Sequence, residues 1–206
     1  KIDSVGNIQW QNTIGGHGLD YLYSIQQTTD GGYILGGYSD SNISIDKTEA
    51  SVGGFDCWVV KLNDDGEIQW QNTIGGTYDD GIFSIQQTTD GGYVFGGFSY
   101  SGISGDKTED IIGNADYWVV KLNNAGDIEW QNTIGGNSFD FLHSIKQTND
   151  GGYILGGSSL SGISGDKTEI NQGDTYSSDY WVIKLSATGT IEWQNTIGGS
   201  SSDQLQ

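Results

Sequence analysis

The heptad Trp-Gln-Asn-Thr-Ile-Gly-Gly occurs four times, opening at Trp10, Trp70, Trp130 and Trp193, with spacings of 60, 60 and 63 residues. A chain that repeats at such a period folds as an array of like units, each burying its apolar faces on the next. Solenoids, propellers and related arrays are the architectures open to it.

Each unit carries four short apolar runs. Trp118 to Leu122 alternates its side chains, and Ile128, Trp130 and Ile134 fall on one side of a pleat, so the period is that of a strand. Asn63-Asp64-Asp65-Gly66 and Asn123-Asn124-Ala125-Gly126 separate the first two of these runs, and Asp90-Gly91-Gly92 and Asp150-Gly151-Gly152 the other two. Such clusters supply positive φ and make tight hairpins. Nowhere do apolar residues recur at i, i+3, i+4 and i+7 for three turns, so no helix is predicted.

Four hairpin-linked strands in about sixty residues suit one blade of a β-propeller. The predicted fold is therefore all-β, a propeller of four-stranded blades. Residues 19–76, 79–136 and 139–199 form whole blades, 1–18 the outer strands of a preceding one and 200–206 the start of a following one. Three blades do not close a ring of the usual size. The sequence thus reads as a piece of a longer chain, a reading also favoured by the absence of methionine, or as a ring completed by another copy. The Gly-Gly pairs at 96–97 and 156–157 are read as points of close strand approach, since no helix follows to make a phosphate cradle.

Eight basic and twenty-seven acidic residues leave a formal charge of −19, which repels nucleic-acid backbones and anionic lipid. No apolar stretch has the length of a membrane-spanning helix, so membrane insertion is not expected. The single cysteine, Cys57, stands where Tyr117 and Tyr180 stand in the other repeats, and is read as packing.

Catalysis by one nucleophile and one base would break the repeat. The two histidines, His17 and His143, lie at unmatched positions and read as loop or surface imidazoles. Ser24, Ser84 and Ser144 recur near Asp20, Asp80 and Asp140 without a recurring histidine, which argues against a Ser-His-acid triad. Asp20, Asp80, Asp140 and Asp203 each follow a Gly-Gly pair by four residues. They either form a ring of carboxylates at a central channel or cap the turn by accepting backbone N–H bonds.

The blades differ most in the loop between second and third strands, where binding on a uniform scaffold usually resides. There Asp46 and Glu49, Asp106 and Glu109, and Asp166 and Glu169 offer hard oxygens, making calcium the candidate ion. Lys47, Lys107 and Lys167 fall between these acids as potential partners. All seven tryptophans belong to the repeat, so a saccharide platform would use Tyr21, Tyr23, Tyr78, Tyr100, Phe139, Phe141 or Tyr176, which vary between blades.

The run Ser-Ile-Gln-Gln-Thr, Tyr93-Val94-Phe95-Gly96-Gly97, Trp118-Val119-Val120-Lys121-Leu122 and Trp130 resembles a kelch blade, and the hairpin Lys61 to Trp70 resembles the repeat of quinoprotein-like propellers. Together with Ser-Gly-Asp-Lys-Thr-Glu, these motifs resemble repeats of secreted or surface-bound Bacteroidota proteins, many of which leave by type IX secretion. That resemblance implies an extracellular or cell-surface location and a non-enzymatic adhesive role, with a polysaccharide or surface protein as partner. Self-association to close the ring is a further expectation. A structural spacer and a degenerate quinoprotein-type enzyme are the alternatives. Near-uniform blades, no arginine and no cysteine pair limit the quinoprotein resemblance to the fold.

Overall fold

A computed structural model describes residues 1–173 and 177–203. Its twelve strands form three four-stranded antiparallel sheets, and the described residues contain no helix. The first blade is β1 (Asp20–Gln27), β2 (Tyr33–Ser39), β3 (Asp56–Leu62) and β4 (Ile68–Ile74). The second is β5 (Asp80–Gln87), β6 (Tyr93–Ser99), β7 (Asp116–Leu122) and β8 (Ile128–Ile134). The third is β9 (Asp140–Gln147), β10 (Tyr153–Ser159), β11 (Asp179–Leu185) and β12 (Ile191–Ile197). Each blade is a meander in chain order. The first strands β1, β5 and β9 lie against one another, so they line the inside of an unclosed, propeller-like array.

The turn chemistry expected from the sequence is what the hairpins use. Gly31, Gly91 and Gly151 have φ of 89°, 86° and 85°, and Gly66, Gly126 and Gly189 have 84°, 93° and 85°, where side chains are strained. In the first hairpin the Gly31 N–H donates to the Thr28 carbonyl at 3.0 Å, and the Asp30 carboxylate accepts from the Gly32 N–H at 3.0 Å.

Blade stacking explains the Gly-Gly pairs. A Cβ on Gly36 would lie 2.9 Å from Ile82 and 3.0 Å from Ile85, and one on Gly96 would lie 2.3 Å from Leu142. Absent side chains on β2 and β6 thus let the next blade's innermost strand seat its aliphatic residues. Around the first seat Ile34, Cys57, Val59 and Ile74 meet Ile82, Ile85, Phe95, Trp118, Val120 and Leu122. The second repeats the pattern with Val94, Tyr117, Val119 and Ile134 against Leu142, Ile145, Leu155, Trp181, Ile183 and Leu185. Full burial of one such aliphatic side chain contributes about 1.5–3 kcal/mol. Cys57 packs in this core as read from the sequence, with its thiol raised well above its ordinary pKa by burial.

Candidate functional site

The innermost strands each carry one β-bulge, and its position organises the site. Pairing of β1 with β2 shifts between Leu22 and Ser24, that of β5 with β6 between Ile82 and Ser84, and that of β9 with β10 opposite Gly156 and Gly157. The extra residues are Tyr23, Phe83 and His143. A bulged residue is released from the strict in-and-out alternation of the strand. These three rings form a row across the blades: Tyr23 meets Phe83 edge-on at 5.1 Å, and Phe83 stacks on the His143 imidazole at 5.2 Å with 11° between planes. His143 is thus a half-buried strand residue and not the loop or surface imidazole expected. Burial lowers its pKa. His17 does lie on an exposed turn, its backbone N–H donating to Ser44 Oγ.

Further rings join this row from other strands. Tyr38 lies 5.2 Å from both Tyr21 and Tyr23, 5.3 Å from Phe55 and 6.0 Å from Phe98. Phe98 in turn lies 5.7 Å from Tyr100 and 5.8 Å from Phe141, on which Phe139 stacks at 6.2 Å. The Tyr23 and Tyr38 hydroxyls are 2.9 Å apart. Burial, reinforced by Tyr23, raises the Tyr38 pKa.

These rings border an open depression of about 410 Å³ lined by Tyr21, Tyr38, Phe55, Phe83, Phe98, Tyr100, Phe141 and Asp79. A neighbouring depression of about 440 Å³ is reached past Tyr78, Tyr100 and Asp79. Asp79 is an exposed carboxylate between the two, held by the Phe55 N–H at 2.9 Å. The site exists because the repeat is broken. Where the first and third blades have Tyr21 and Phe141, the second has Gly81, whose Cβ would lie 2.7 Å from the rings of both Tyr38 and Phe98.

Of the aromatic residues singled out from sequence, Tyr21, Tyr23, Tyr100, Phe139 and Phe141 thus belong to one cluster, while Tyr78, 63 % exposed, borders the second depression. Tyr176 lies outside the described residues. Sequence reading missed Tyr38, Phe55, Phe83, Phe98 and Asp79.

The acidic loop residues are engaged with the backbone. Asp46 Oδ2 accepts from the Gly15 N–H at 3.2 Å, as Asp106 does from Gly75 and Asp166 from Gly135. Glu49 accepts from the Thr73 N–H, Glu109 from that of Thr133, and Glu169 from that of Thr196. Together they clip the loop to the fourth strand of its own blade and to the end of the preceding unit. No three His, Cys, Asp or Glu side chains converge on a point among the described residues.

Lys47, Lys107 and Lys167 form no ion pair with these acids among the described residues. Each turns inward, 1 % exposed, with its ammonium 5.5–5.6 Å above Trp58, Trp118 or Trp181. Lys107 Nζ donates to the Glu109 carbonyl and to Thr133 Oγ1. A cation over an indole face, with its donors satisfied, tolerates this burial.

Between the two readings of the recurring aspartates, the geometry is that of turn caps. Asp20, Asp80, Asp140 and Asp203 accept from the N–H of Gly16, Gly76, Gly136 and Gly199 at 2.7–2.8 Å. Ser24 Oγ accepts from the Ile85 N–H at 3.1 Å and Ser84 Oγ from the Ile145 N–H at 3.3 Å, so these serines tie neighbouring blades together. No known protein family's sequence profile matches the chain, and no curated protein matches it by sequence.

Proposed function

We propose that this chain is a non-enzymatic recognition module of an extracellular or cell-surface protein, and that it binds a saccharide in the aromatic trough beside Asp79. The observation that carries the reading is the trough itself, a contiguous ring cluster made where otherwise uniform blades differ. Pyranose rings present C–H faces that pack on aromatic rings while their hydroxyls bond to carboxylate and phenol oxygens. Tyr21, Tyr38, Tyr100 and Asp79 offer both. The strongly acidic chain favours a neutral polymer over a uronate or sulfate one. Resemblance of the repeats to secreted Bacteroidota proteins supports the location, and type IX export with it.

A broad glycan array, followed by titration calorimetry on any hit, tests this. Saturable binding to a neutral saccharide, weakened tenfold or more by Tyr100→Ala and by Asp79→Asn, supports the reading. Silence across neutral glycans, or binding indifferent to both substitutions, overturns it.

A further inference from the structure

Among the described residues Tyr23 and Tyr38 are the two phenols whose hydroxyls bond to each other, at 2.9 Å, with ring centroids 5.2 Å apart and ring planes 23° from parallel. Packing alone does not call for those oxygens. At the equivalent places the second blade has Phe83 and Phe98, whose rings also lie 5.2 Å apart, and the third has His143 and Ser158. Tyr21 is as near to Tyr38 but tilted by 49°, and it is the Tyr23 hydroxyl that Tyr38 bonds. The first blade thus sets two phenol oxygens on one another where its neighbour makes the same ring contact without them.

We propose that this pair is a site of oxidative modification, at which Tyr23 and Tyr38 couple to a dityrosine within one chain. The co-reactant is hydrogen peroxide, acting through a haem peroxidase or another one-electron oxidant. Each phenol gives up an electron and its hydroxyl proton, and the two phenoxyl radicals join through the carbons ortho to their oxygens. The ortho hydrogens then leave as protons while the oxygens are reprotonated, restoring both phenols. In sum two aromatic C–H bonds break, one C–C bond forms, and one peroxide is reduced to two waters.

The geometry favours this outcome over other fates of an oxidised tyrosine. In the coupled product the two hydroxyls stand side by side and share a hydrogen bond, which is how they stand already, so closure asks for a ring rotation and no strand movement. A pair held in that arrangement couples far faster than two chains meeting in dilute solution. Tyr38 lines the open depression between the blades, which gives a small oxidant its approach. The sulfur side chains that take up oxidant readily offer no sink, since the chain has no methionine and Cys57 is buried with its thiol held protonated. The bond would tie β1 to β2 across the bulge with a link that thiol reductants do not open. It depends on no saccharide and stands apart from the binding proposed above.

Oxidation of the dilute, folded chain tests the proposal, once with a haem peroxidase and hydrogen peroxide and once with light-activated tris(bipyridyl)ruthenium and persulfate, which needs no enzyme contact. Intact mass spectrometry is expected to show single chains that have lost two hydrogen atoms, with dityrosine fluorescence appearing in step. Cleavage before aspartate separates residues 20–29 from 30–39, so the link appears as these two peptides joined through Tyr23 and Tyr38. Tyr23→Phe and Tyr38→Phe should each abolish it, and both introduce the residue that the second blade carries in the same place, so the fold is kept. Tyr21→Phe should leave it intact, and unfolding in urea before oxidation should remove it. No loss of mass with either oxidant, a link that maps to other tyrosines, a link that survives Tyr38→Phe, or one that forms equally well in urea overturns the proposal.

Discussion

Replacing Asp116 by asparagine should stabilise the protein at neutral pH and lose that effect as pH falls to 3.8 and below. Asp116 is fully buried at the start of β7, and its Oδ2 accepts from the Ile112 N–H at 2.6 Å and the Gly113 N–H at 3.3 Å. Its Oδ1 is buried without a donor and faces Gly135, where a Cβ would stand only 1.9 Å away. Burial first, and then the Asp140 carboxylate, push its pKa from 3.8 to about 6 against the opposing pull of the two amides and Lys107.

Between pH 3.8 and about 6 the folded chain therefore holds a proton that the unfolded chain has released, so stability falls as pH rises through that window. At ~1.4 kcal/mol per pH unit the ceiling above pH 6 is about 3 kcal/mol, and residual solvent screening reduces it to about 1–2 kcal/mol. Asparagine keeps an oxygen for the two amides and replaces the donorless oxygen with an uncharged NH₂ beside Asp140. Urea unfolding at pH 3.0, 5.0 and 7.5 should show a gain of about 1–2 kcal/mol at pH 7.5 that shrinks through pH 5.0 and is absent at pH 3.0, below the unfolded value of 3.8. A variant less stable than the parent at pH 7.5, or equally stabilised at both extremes, refutes the reasoning. Asp30, Asp90 and Asp150, lowered to about 2, contribute in the opposite sense and lose that contribution as pH falls below 3.8. Stability of the parent should therefore peak near pH 4, because Asp56, also raised to about 6, acts with Asp116 above that pH.

Two further substitutions address the backbone and the blade junctions. Ile45 has a φ of 53° where the other blades have Gly105 and Gly165, both at 55°, so Ile45→Gly should raise stability by about 0.5–1 kcal/mol in urea titration despite the added chain entropy. Gly96→Ala places a methyl group 2.3 Å from Leu142 Cδ2 and should lower stability by about 1–3 kcal/mol, with part of the loss recovered when Leu142 is shortened to valine. An unchanged urea midpoint in either single variant counts against the corresponding contact.

Strands, hairpins and blade order were legible because three renderings of one unit stand in the sequence, and every packing position is written out more than once. Asp80 as a turn cap and Gly96 as a point of close approach were readable for the same reason. The bulge was not. Inserting one unpaired residue at Tyr23, Phe83 and His143 leaves the apolar pattern intact, yet it determines which rings meet. The trough also draws Tyr38, Phe55 and Phe98 from strands and loops of two blades, a contiguity that only folding creates. Comparing equivalent positions offers a signal: Gly81 stands between Tyr21 and Phe141, and Tyr38 and Phe98 give way to Ser158. Lys107 misled for a different reason. Flanking Asp106 and Glu109 suggested ion pairing, whereas those carboxylates are occupied by the Gly75 and Thr133 amides and the ammonium finds an indole and a carbonyl.

The inward lysines also decide what the molecule looks like from outside. Of its eight cationic side chains, Lys47, Lys61, Lys107, Lys121, Lys167 and Lys184 are buried, leaving Lys1 and Lys146 on the exterior. Amine-directed reagents, acetylating enzymes and anionic polymers thus meet a surface with almost nothing to grip. Toward solvent the protein is a polyanion, wrapped in mobile counterions and kept apart from others of its charge.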